Sequence, residues 1–266
     1  MVRSIVAAVF LLAAAAGLHA DERLFGYVYE AEVLPKGAME FEQWITNLNG
    51  KDQGVYSRFN LREEFETGLS DRLTTALYLN SKSEYISVPG EIAPVEAFAF
   101  EGISSEWKYR LLSPHQSPIG VVVYGELSYN GPEFEAEAKL ILQRNLSEDL
   151  VFAVNLAIEN EYIYEAAGQS IEGKTELSAG LAYRINPAFS LGLETRNPRV
   201  WPNNWALQGA SAWFLGPNFH YAAEKWWATL AIMPQLSGQP ETMTGDGREL
   251  SEFSRVETRL VFGMNF

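Results

Sequence analysis

The sequence contains no cysteine. Neither a disulfide framework nor a thiolate nucleophile or metal site can therefore be built from it. It has only three histidines, and they form no cluster of the kind that holds a transition metal. Beyond the N-terminus there is no uninterrupted apolar run of about 18 residues, which excludes a helical membrane span there. Basic residues are scarce: 20 Lys and Arg stand against 34 Asp and Glu, for a formal net charge of -14. Nucleic-acid-binding surfaces are basic, so that class of partner is excluded. The glycines form no phosphate-binding pattern, and Asp246-Gly247 with Glu249 lacks the alternating acids of a calcium loop. No cofactor and no bound metal are expected.

What the sequence does have is apolar residues, 47% of the chain, with 13% aromatics, laid out in alternation. The last stretch shows it most clearly. Val256, Thr258, Leu260, Phe262, Met264 and Phe266 fall on one side of an extended chain, while Arg255, Glu257, Arg259, Val261, Gly263 and Asn265 fall on the other, because successive side chains of a strand point to opposite faces. With Phe266 last and Met264, Phe262 and Leu260 two, four and six places before it, this stretch resembles the closing strand of Gram-negative outer-membrane β-barrel proteins. The likeness is to an uncharacterised porin- or transporter-like family of that class. It implies that the final strand pairs with the first and is read by the barrel-assembly machinery, and that outer-membrane lipid surrounds the protein.

The rest of the chain fits that expectation. Met1 to Ala20 reads as a cleaved secretory signal peptide, with Arg3 at its positive end and an apolar core from Ile5 to Ala16. Asp21 to Gly37 forms a periplasmic lead-in, either a strap or a partial plug. From Ala38 to Phe266 about twelve strand-like segments follow, each long enough for a tilted membrane strand. Polar loops are expected at Glu165 to Lys174, Asn197 to Trp205 and Leu236 to Glu249, with the tenth strand starting near Ala206. Longer connections follow strands 1, 3, 7, 9 and 11 and shorter ones follow strands 2, 6, 8 and 10, the asymmetry of short periplasmic turns and long outer loops. The connection after strand 5, Asn130-Gly131-Pro132, is a tight hairpin signal that departs from it.

A soluble sandwich would also alternate. Three features favour a membrane barrel. The segments exceed the 5–6 residues usual in soluble sheets. Aromatics such as Trp107, Tyr129, Tyr164, Tyr183 and Trp226 gather near strand ends as an interfacial girdle. The polar faces carry charge at mid-strand. The reading is an all-β, transmembrane, antiparallel up-and-down β-barrel of about twelve strands, located in the outer membrane.

With apolar faces toward lipid, the other faces line a lumen. The residues assigned to it are Arg58, Arg62, Glu64, Glu106, Lys108, Arg110, Glu126, Glu137, Lys139, Arg184, Glu194, Arg196, Arg255, Glu257 and Arg259, together with Glu40, Glu42, Glu135 and Glu159. They can form a filling network of ion pairs or line a conduit whose charges select solutes. The opposing rows of arginine and glutamate resemble the lumens of substrate-specific porins. Acids slightly outnumber bases, which favours cationic or neutral solutes. The function expected is a passive channel or transporter for small solutes, not an enzyme. The alternatives are a non-conducting structural or surface-binding barrel and an outer-membrane lipid hydrolase. The last would need His115 or His220, both placed toward the periplasmic end and so away from the outer leaflet.

Overall fold

The computed structural model describes residues 23–52, 54–90, 93–165, 168–240 and 245–266. The two-residue alternation resolves into twelve strands: β1 Met39–Asn49, β2 Val55–Ser70, β3 Leu73–Ser87, β4 Val95–Leu112, β5 Gly120–Tyr129, β6 Glu133–Asn145, β7 Leu150–Glu165, β8 Gly168–Asn186, β9 Phe189–Trp201, β10 Ser211–Ala222, β11 Trp226–Gln239 and β12 Val256–Asn265. Each pairs antiparallel with its chain neighbours, and β12 returns to β1, closing the barrel. Phe41 lies opposite Met264 and Ile45 opposite Leu260 in that seam. Closure leaves no strand edge, as hydrocarbon requires, since it offers no partner to an unpaired N–H or C=O.

The barrel is inside-out relative to a soluble protein. Outward side chains such as Leu77 and Phe98 are 64% and 71% exposed, while the inward carboxylates of Glu64 and Glu106 are 2% and 0% exposed. The connections at residues 71–72, 146–149, 187–188 and 223–225 are all short. Phe266 lies at that same end, donating its N–H to the Met39 carbonyl at 3.0 Å.

Several strands run further than their alternation suggests. β7 and β8 extend through most of the expected loop at Glu165 to Lys174, β9 continues to Trp201, and β11 reaches Gln239. β10 starts at Ser211, after a turn at Pro202–Trp205 in which Asn203, Asn204 and Trp205 take positive φ. Polar residues at these outer strand ends face a wet interior and so carry no apolar signature, although the backbone ladder continues.

Residues 23–34 do not lie beyond the strand ends but run inside the short-turn half of the barrel. The main apolar core forms around them. Tyr29, Ala31 and Val33 pack with Trp44, Val122, Tyr124, Ile141 and Trp227; Leu24, Phe25 and Val28 pack with Val151, Ala153 and Ala182; Tyr27 packs with Ala212, Phe214, Ala231 and Met233. This accounts for β11 being apolar on both faces: one meets lipid and the other meets this internal segment. The contact is close. A Cβ on Gly180 would stand 2.6 Å from the Phe25 ring, and one on Gly26 would stand 2.5 Å from the Ala231 methyl.

Candidate functional site: the lumen and its internal plug

The internal segment belongs to no sheet, so side chains of the wall must satisfy its backbone. Glu194 of β9 accepts the N–H groups of Gly26, Tyr27 and Val28 at 2.7, 2.8 and 2.9 Å. Asn155 of β7 copies a strand neighbour, accepting the Tyr29 N–H at 2.6 Å and donating to the Tyr29 carbonyl at 2.9 Å. Gln143 of β6 accepts from Ala31 at 2.7 Å and Thr74 of β3 from Leu34 at 2.9 Å. Asn218 of β10 donates to the Leu24 carbonyl and Thr229 of β11 to the Arg23 carbonyl. At the rim, Glu32 meets Arg110 at 3.2 Å and His115 at 2.9 Å. Burial raises the Glu32 carboxyl above its ordinary range, against the opposing pull of its two neighbours. The segment is thus a plug fastened to strands on every side of the bore.

Above the plug, toward the longer loops, the described residues enclose two cavities. The lower, of about 300 Å³, has Tyr27 and Tyr29 of the plug among its walls, with Trp44, Asn155 and Ser178. Its charged lining is Arg62, Lys139, Lys174, Arg196 and Arg259 against Glu137, Glu159 and Glu176. The upper, of about 240 Å³, has the opposite balance, with Arg58 and Arg62 against Glu101, Glu126, Glu133 and Glu135. Arg62 lines both. The lumen therefore changes sign along its length, from an acidic outer chamber to a basic inner one. The slight overall excess of acid says nothing of this change.

The charges are ordered in pairs. Arg62 meets Glu126 at 2.5 Å, Lys139 meets Glu137 at 2.9 Å, and Lys174 bridges Glu159 and Glu161 at 3.1 and 2.7 Å. Arg196 holds Glu176 bidentately, at 3.0 and 2.6 Å, and Glu257 at 2.6 Å. Higher up, Glu101 takes Arg58 at 3.3 Å and Lys82 at 3.0 Å. Aromatic faces carry several of the same cations: Arg62 lies 4.0 Å from the Tyr78 ring centre, Lys139 4.3 Å from Tyr124, and Arg196 4.2 Å from Tyr27. Such contacts gain strength away from bulk water.

At the plug's flank the acids concentrate. Carboxylate oxygens of Glu40, Glu42 and Glu66 lie within 4.8 Å of one another, as do those of Glu64, Glu66 and Glu106. The Lys108 ammonium stands 2.6 Å from Glu66 and 3.6 Å from Glu106, supplying the local cation. Trp44 donates to Glu42 at 2.6 Å and Glu64 at 3.1 Å, and Tyr78 to Glu106 at 2.5 Å. Arg23 of the plug caps the group, 3.8 Å from Glu42 and stacked 4.0 Å from Tyr29 and 4.2 Å from Trp44.

Three residues assigned to the lumen stand at its ends. Arg110, at the short-turn rim, donates to the Asp71 carbonyl as well as meeting Glu32. Arg184 donates to the Glu148 carbonyl at the short-turn rim. Arg255 precedes β12 and pairs with Asp246 in the last outer loop at 2.8 Å. Pattern reading missed Arg23, missed Tyr27 and Tyr29, whose alternation was visible but whose location was not, and missed Lys174 and Glu176, the first hidden in an apparent loop and the second left out of the lumen set. The two histidines among the described residues have separate surroundings. The His115 Nε2 faces Glu32, and the His220 Nδ1 lies 2.8 Å from the Thr229 hydroxyl beneath the plug.

With this geometry in hand, the chain can be placed among known proteins. The profile of a family described as of unknown function, DUF6662, matches residues 17–266. Among curated proteins, none matches the chain in sequence. Among solved structures, the COG4313 outer membrane channel of Pseudomonas putida F1 aligns with a TM-score of 0.62 at 11% identity, covering 89% of this chain and 98% of that one. The NanC porin aligns with a TM-score of 0.53 at 10% identity, covering 86% and 98%. The shared feature is the fold, that of an outer-membrane β-barrel.

Proposed function

The chain belongs to the family of unknown function DUF6662, and we propose that it is an outer-membrane channel for small solutes whose bore is narrowed at its periplasmic end by residues 23–34. The observation that carries this reading is how the plug is fastened. Its backbone is held by wall side chains, Glu194, Asn155, Gln143 and Thr74, and not by strand pairing. A segment bound through separate side-chain contacts can leave without breaking the closed ladder. The charged chambers above it are what a passage for polar solutes needs. Two proteins of similar fold are a channel and a porin, which agrees with the proposal. The short-turn end faces the periplasm, and the β12 strand is the segment through which the assembly machinery would receive the protein.

A second reading has its own support. The plug buries Phe25, Val28 and Leu34 completely, as in a permanently filled, non-conducting barrel. Single-channel recording in planar bilayers separates the two. A channel shows discrete steps in the full-length protein, enlarged when the plug contacts are cut; silence in both wild type and Glu194→Ala leaves the structural barrel.

A further inference from the structure

Four of the five cations lining the lower chamber are matched by carboxylates, but Arg259 is not. Its Nε donates to the Thr46 hydroxyl at 2.9 Å and its Nη1 to the Gly26 carbonyl at 3.2 Å. Both acceptors are neutral. Among the described residues no carboxylate lies within ion-pair distance of it; the nearby Glu257 is engaged by Arg196. The guanidinium carbon lies over Tyr27, 3.9 Å from the ring centre, with Trp44 at 5.2 Å. An arginine does not shed its charge at any relevant pH, so this position carries a permanent positive charge. The side chain lines the chamber of about 300 Å³, and its Nη2 has no protein partner among the described residues.

We infer that Arg259 is a binding subsite for small organic monocarboxylates within the lumen. The argument is one of charge and shape. Two of the five guanidinium donors of Arg259 are used, and the remaining edge suits the planar, two-oxygen face of a carboxylate. One unmatched positive charge suits one negative charge. A dianion such as phosphate would bring a second charge toward Glu137, Glu159 and Glu176 across the same small chamber. The tyrosine and tryptophan beneath give the ligand's body a partly apolar floor. Because Arg259 also holds the Gly26 carbonyl of the plug, a carboxylate bound there sits on the fastening itself. The inference rests on the channel reading only in taking the chamber to be reachable from outside.

The test is calorimetric titration of the full-length protein in detergent micelles with benzoate, with benzamide as the uncharged isostere and with inorganic phosphate. Saturable benzoate binding is expected, at least tenfold tighter than benzamide and phosphate. Arg259→Gln should weaken benzoate tenfold or more without changing benzamide, and Arg259→Lys should retain part of the affinity. Equal affinity for benzoate and benzamide in the wild type overturns the subsite whether or not the variants fold. So does unchanged benzoate binding by a folded Arg259→Gln. Conductance of the same preparations keeps the two readings apart. Conducting protein without benzoate preference removes the subsite and leaves the channel; benzoate binding by silent protein removes the channel and leaves the subsite.

Discussion

Gly26 and Glu194, 168 positions apart in the sequence, meet at 2.7 Å inside the barrel. One carboxylate there replaces the strand partner that three consecutive backbone N–H groups lack. Hydrogen bonds to a charged acceptor contribute about 1.5–3 kcal/mol each, though bonds sharing an acceptor do not add. Glu194→Ala should therefore release the plug while the barrel stays closed. The expected signs are larger conductance steps and faster proteolytic cutting of the N-terminal segment. Unchanged protease resistance would mean that the apolar contacts of Phe25 and Val28 suffice to seat it.

Steric expulsion should reach the same state by another route. Gly180 faces the Phe25 ring with no room for a Cβ. Gly180→Val should push Phe25 off the wall and raise conductance as Glu194→Ala does, with strand content by circular dichroism unchanged. A variant that folds and conducts like the wild type would show that the plug can shift to absorb the added bulk.

Arg196 sits between Glu176 and Glu257 at 2.6 Å from each. Removing one member of a buried charge network leaves uncompensated charge and typically costs about 3–5 kcal/mol. Arg196→Met should lower the midpoint of urea unfolding in lipid vesicles, and adding Glu176→Gln should restore part of the loss. If the double variant is no more stable than the single one, the arginine's packing on Tyr27 matters more than its charge.

Glu63 is an acid on the lipid-facing surface. It stands between Leu61 and Phe65 on its own strand, opposite Gln43 and Leu79 on the neighbours. Gln43 donates to it at 3.1 Å, which partly offsets the cost of a carboxylate beside lipid. Acids cost less than Arg or Lys on this face, on the order of 1 kcal/mol. Glu63→Leu should raise unfolding stability in vesicles by about that amount, since Gln43 keeps its bond to the Arg62 carbonyl. A loss of stability would show that the pair has a partner other than lipid.

The amino-acid sequence by itself determined the barrel. Side-chain alternation is a local property of a strand, so Leu260, Phe262 and Met264 on one face and Glu257 and Arg259 on the other set which side meets lipid. Backbone pairing in hydrocarbon then leaves closure as the available architecture. The course of residues 23–34 was not local information. Phe25, Tyr27 and Tyr29 alternate like a strand, yet the backbone of Tyr27 and Tyr29 is held by Glu194 and Asn155, single polar residues on separate strands. Nor could pattern tell which cation lacks a carboxylate: Arg196 and Arg259 occupy equivalent polar faces in the sequence, and only the packing across the lumen gives the first two glutamates and the second none. Periodicity records which way a side chain points. What it meets there depends on strands brought together from across the chain, and the tertiary structure alone decides that.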